Sequence, residues 1–92
     1  MLLDDLEAVL ISRRDQPPVG SYTATLLADP DLIQRKIMEE AFELCLELGR
    51  AERSAERTAE EAADVIYHLL VGLVSVDVRL DAVLAVLEER SR

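Results

Sequence analysis

The chain has 92 residues, half of them hydrophobic, and a formal net charge of −9. That length allows one small domain spanning 1–92, and that charge argues against a nucleic-acid backbone or an anionic membrane as partner. A single cysteine, Cys45, excludes an internal disulfide and a cysteine-based zinc site.

Aromatics are 3%, with three Gly and three Pro, so the core is aliphatic and turn material is scarce. An all-α bundle of four to five helices follows. So much apolar content in so short a chain points to a homo-oligomer. Asp4 and Asp5 stand where a signal peptide would carry bases, and no apolar run reaches a membrane span, so a cytoplasmic protein is expected.

The first helix is expected over 2–14, with Leu3, Leu6, Val9 and Leu10 at helical spacing, acids early, and Arg13 and Arg14 late. Gln16-Pro17-Pro18-Val19-Gly20 breaks it. Ser21 to Leu27 reads as a helical turn packed by Leu26 and Leu27. Asp29-Pro30 opens a helix that runs to Leu48 and stops at Gly49. Residues 50–57 form a charged connection. Thr58-Ala59-Glu60-Glu61 has the capping-box pattern for a third long helix ending near Val76. Asp77-Val78-Arg79 is a weak break. The last helix, 80–90, is expected to turn Val83, Leu84 and Leu87 inward.

Two acidic stretches interrupt this apolar design. Residues three apart share a helix face, so Glu40 with Glu43, and Glu61 with Asp64, can aim four carboxylates at one point from two antiparallel helices. Glu40 lies at the edge of an apolar arc that also holds Met38, Phe42 and Cys45, and should be partly buried. Such acids repel unless a cation intervenes. Oxygen ligands without clustered Cys or His suit Mg²⁺ or Mn²⁺, which can in turn hold phosphates. Lys36, Arg35, Arg13 and Arg14 are the available bases.

Simpler readings compete. Glu47, Glu52 and Glu56 fit a solvated face, and Glu39 and Glu60 fit either surface or site. Glu61 is also the third-position acid of the Thr58 capping box. His68 is either a half-buried core residue or a group that orients the Asp64 carboxylate four residues earlier. Cys45 reads as core. Tyr22 and Thr23 have the spacing of ordinary loop residues.

Glu39-Glu40-x-x-Glu43, then 17 residues, then Glu61-x-x-Asp64 resembles the EExxE…ExxD signature of the MazG-type all-α nucleotide pyrophosphohydrolases. The flanks are more specific. Gly20-Ser21-Tyr22-Thr23, the block from Lys36 to Glu43, and Glu61-Ala62-Ala63-Asp64-Val65-Ile66-Tyr67-His68-Leu69-Leu70-Val71 resemble the phosphoribosyl-ATP pyrophosphatases of histidine biosynthesis. The likeness covers about residues 12–89. It departs from the family at Met38, where Gly is frequent, and at Arg79, where a Ser cap is frequent.

The resemblance implies hydrolysis of phosphoribosyl-ATP to phosphoribosyl-AMP and pyrophosphate. It implies Mg²⁺ held by Glu40, Glu43, Glu61 and Asp64, with Glu39 or Glu43 accepting a proton from water. Lys36 would meet phosphate oxygens, and Ser21, Tyr22 and Thr23 would close over the nucleotide, with His68 and Glu60 supporting the ligands. Relatives self-associate, with sites near subunit contacts. Two alternatives remain: a house-cleaning pyrophosphatase for (deoxy)nucleoside triphosphates, and a non-catalytic helical dimerisation module.

Overall fold

The structure, a computed structural model, describes residues 2–92. Five helices follow in order: α1 (Leu2–Asp15), α2 (Tyr22–Leu27), α3 (Pro30–Leu48), α4 (Ala55–Ser75) and α5 (Leu80–Arg90). Among the described residues there is no strand, and no helix is long and apolar enough to cross a membrane.

α3 keeps the limits read from its sequence. Asp29 Oδ1 accepts the Leu32 N–H at 3.1 Å, and Pro30 fills a first-turn position where no N–H is needed. Gly49 ends the helix as its C-cap with φ −88°, so it is not the left-handed residue beyond the cap. α4 starts earlier than the Thr58 box suggests. Ser54 is its N-cap, its Oγ accepting the Arg57 N–H at 3.2 Å. Thr58 instead donates its hydroxyl back to the Ser54 carbonyl at 2.8 Å, so it is already inside the helix. Glu61 is therefore not a capping residue, and its side chain is free for another role.

α3 and α4 form an antiparallel pair. Arg57 meets Glu47, and Gly72 packs on Ile37 and Ile33. A Cβ on Gly72 would lie 3.1 Å from Ile37 Cδ1 and 3.4 Å from Ile33 Cγ2, so the missing side chain sets how closely the helices approach. α1 and α2 close the core of Leu10, Leu26, Ile33, Leu70, Val71, Val74 and Leu80. Burying such aliphatic side chains contributes about 1.5–3 kcal/mol each.

α4 ends in a hydrogen-bonded reversal. Val78 N–H reaches the Leu73 carbonyl at 2.9 Å and Asp77 N–H the Val74 carbonyl at 3.1 Å, with Asp77 left-handed at φ 58°. Arg14 donates to the Val74 carbonyl at 2.9 Å and pairs with Asp77 at 3.2 Å. That commits Arg14 to the helix end and removes it from the phosphate-binding candidates.

α5 has no cap of its own, since the Arg79 side chain makes no capping bond. Glu7 of α1 supplies it. Its buried carboxylate accepts the Leu80 N–H at 2.6 Å and an Arg79 guanidinium N–H at 3.0 Å. The Arg79 bond foremost, then the Leu80 N–H, hold this carboxyl below the usual range against the opposing effect of burial. A depressed folded pKa adds stability that is complete above the ordinary value of 4.5 and lost as pH falls through the folded value. Glu7→Gln should therefore melt lower than wild type at neutral pH, with the gap narrowing in melts below that range. A gap that stays constant into acid would contradict the pairing.

The outer faces differ from expectation. Leu84 and Leu87 of α5 are exposed, because only Leu80 reaches the core and no other element covers the rest of that face. Met38, Phe42 and Cys45 are exposed as well, so the protomer covers only part of the apolar arc of α3. The radius of gyration is 14.6 Å. A compact chain of this length has about 12 Å.

Candidate active site

Toward the end of the α3–α4 pair that carries their connection, one carboxylate oxygen each from Glu40, Glu43 and Glu61 lie within 4.8 Å of one another. Among the described residues these three form the one cluster of metal-ligating side chains. Glu40 is 7% exposed. Its Oε1 pairs with Lys36 Nζ at 3.3 Å, while its Oε2 and the Oε2 of Glu61 are buried without a hydrogen-bond partner. Glu43 responds to this crowding. The Glu40 charge first, then burial and the Glu61 charge, raise its carboxyl above the ordinary value of 4.5.

Buried carboxylate oxygens without donors are costly. Two of the three clustered carboxylates carry such an oxygen, and the three together, from facing helices, offer a hard divalent cation the oxygen ligands it prefers. Lys36 offsets part of the repulsion, bridging Glu40 and, at 3.7 Å, Glu39. Glu40 foremost holds the Lys36 ammonium above its usual range, and burial opposes this.

Asp64 lies one turn beyond Glu61, exposed and outside the converging three. His68 does not hold its carboxylate. Nδ1 of His68 lies 2.7 Å from the Asp64 backbone carbonyl and must donate to it. Nε2 of the same ring lies 3.3 Å from the Tyr22 hydroxyl, within hydrogen-bond distance. His68 is buried and meets Tyr22 edge to face with centroids 6.4 Å apart. Its position thus fixes Tyr22 rather than an acid.

The Tyr22 ring is itself exposed, and its phenol lies within electrostatic reach of Lys36. The flanking hydroxyls point inward. Ser21 caps α2, accepting the Ala24 N–H at 3.2 Å and an Arg13 N–H at 3.4 Å. Thr23 is buried and hydrogen-bonded to the Tyr67 hydroxyl. Glu39 is exposed at the rim, as is Glu60, which lies within reach of the Arg57 charge.

One residue was missed from sequence. Glu47, expected on the solvated face, is 2% exposed and held by Arg57 and Arg50, each at 3.2 Å. Helical spacing puts it four residues after Glu43. The signal available was an acid that continued the row of Glu43 toward a connection rich in arginine.

A family model described as phosphoribosyl-ATP pyrophosphohydrolase matches residues 3–91. The chain is 45% identical over 91 residues to the phosphoribosyl-ATP pyrophosphatase of Roseobacter denitrificans, covering 98% of the chain and 85% of the relative. It is 47% identical over 90 residues to the same enzyme from a strain of Cereibacter sphaeroides, covering 97% and 85%. It is 43% identical over 90 residues to that of Methylobacterium radiotolerans, covering 97% and 82%. The chain belongs to the phosphoribosyl-ATP pyrophosphohydrolase family.

Proposed function

We propose that this chain hydrolyses phosphoribosyl-ATP to phosphoribosyl-AMP and pyrophosphate, the second step of histidine biosynthesis, with Mg²⁺ or Mn²⁺ held by Glu40, Glu43 and Glu61. The observation that carries this is the convergence of three carboxylates, two with buried unpartnered oxygens, in a member of this family. Asp64, one turn along α4, is the fourth ligand in this reading. When bound, the cation neutralises phosphate charge and lowers the pKa of water.

The chain's own residues supply the rest. Lys36, already beside Glu40, meets phosphate oxygens. Glu43 inside the cluster, or Glu39 at its rim, accepts the proton of the attacking water. Tyr22, fixed by His68, presents its ring to the nucleotide, while Ser21 and Thr23 hold the segment that carries it. Glu60 contributes negative charge next to Glu61.

Pure protein with phosphoribosyl-ATP and Mg²⁺ should release pyrophosphate, and chelation should stop it. No release from folded, Mg²⁺-supplied protein would overturn the assignment. Faster turnover of deoxynucleoside triphosphates would move it to the house-cleaning class.

Self-association belongs to the same reading. Met38 at 72% and Phe42 at 64% exposure, next to the exposed Cys45, offer an apolar face of α3 to a second copy of the chain. Phe42→Glu should lower the mass seen by light scattering toward the monomer. An unchanged mass would place the contact elsewhere.

A further inference from the structure

The ion pair between Glu47 and Arg57 stands one helical turn from the acidic cluster on both helices. On α3, Glu47 follows Glu43 by four residues, and on α4, Arg57 precedes Glu61 by four. Residues at that spacing lie along one face. Glu47 Oε1 accepts the Arg57 Nε–H at 3.2 Å, so the two helices are tied where their facing rows continue. Arg50 takes the other oxygen of Glu47 at 3.2 Å.

A carboxylate this deeply buried is a poor device for stability alone. An apolar side chain of similar volume is often as good or better there. What an ion pair across the helices adds is register, since sliding either helix separates Glu47 from Arg57 and leaves the buried Oε1 without its donor. The neighbouring turn needs that restraint. Glu43 and Glu61 come from different helices and repel each other.

We propose that Glu47 and Arg57 are positioning residues, a clasp that keeps Glu43 opposite Glu61 and so preorganises the cation site. The inference rests on the cation reading above. It adds that the site's geometry is set from outside the ligand set, by a pair absent from the acidic signature.

Titration of folded wild type, Glu47→Gln, Arg57→Gln and Arg57→Lys with Mn²⁺, read by the loss of free-ion electron paramagnetic resonance signal, tests it. Charge alone predicts opposite shifts. Losing the Glu47 carboxylate should weaken cation binding, and losing the Arg57 cation should strengthen it. The clasp predicts that both Gln variants bind more weakly, by about tenfold. Arg57→Lys, which restores a cation opposite Glu47, should return close to wild type. The Arg57 side chain is largely exposed, so its replacement leaves the core intact.

Tighter binding by Arg57→Gln, or unchanged binding in both Gln variants, overturns the clasp and leaves the cation site standing. Absence of Mn²⁺ binding by wild type overturns the cation reading and the clasp with it.

Discussion

Glu40→Gln should lower kcat/KM for phosphoribosyl-ATP by about 10³-fold, and Glu61→Gln by a similar factor. A carboxylate that holds a catalytic cation supplies several kcal/mol of charge stabilisation, and each 1.36 kcal/mol is tenfold in rate, so about 4 kcal/mol gives that loss. Both substitutions are isosteric and leave the core untouched. In Glu40→Gln the amide retains an oxygen toward Lys36, so the chain should fold normally. Pyrophosphate release at saturating Mg²⁺ checks the loss, with circular dichroism to confirm the fold. Activity within tenfold of wild type in both variants would remove these residues from the chemistry. Glu52→Gln, exposed and away from the cluster, should be indistinguishable from wild type in the same assay.

Glu43→Gln should separate stability from activity. The Glu43 carboxyl is raised above 4.5, so its ionisation at neutral pH works against folding. This penalty fades as pH falls through the raised folded value and is gone below the unfolded one. The metal-free variant should therefore melt a few degrees above metal-free wild type at neutral pH, and level with it in acid. Mg²⁺ reverses the order. At a hundredfold excess over Kd, a bound ion stabilises wild type by about 2.7 kcal/mol, and the variant gains less. Turnover should fall by about 10²-fold or more, since proton acceptance is lost together with a ligand. Parallel melts in chelator and in Mg²⁺ measure both halves. A variant less stable than wild type in chelator would show that the cluster is held by something other than a cation.

Much of this site was legible because it depends on local rules. Asp29-Pro30 and Gly49 set the ends of α3, so the positions of Glu40 and Glu43 on its surface followed from helical spacing. Glu61 followed in the same way, although its helix begins at Ala55, ahead of the Thr58 box. What stayed hidden depends on contacts between distant residues. Glu47 looks solvated until Arg57 folds back onto it. His68 and Asp64 share a face, yet the histidine finds the backbone carbonyl of Asp64 and the Tyr22 hydroxyl before it finds a carboxylate. Periodicity marks Leu84, Leu87 and Phe42 as apolar positions on their helices, but not whether the same chain covers them.

The Glu7 cap on α5 has a kinetic consequence. α3 and α4 are neighbours in sequence, and the loop between them is short to close. Glu7 and Leu80 are 73 residues apart, the longest reach among the side-chain hydrogen bonds of the described residues. Closing that span costs chain entropy that only the assembled core can offset. Docking of α5 should thus come late on the folding path. Glu7→Gln should accelerate unfolding in stopped-flow experiments while leaving the folding limb nearly unchanged. The Glu7 carboxylate joins the first helix to the last, and this junction should be the first part to come apart.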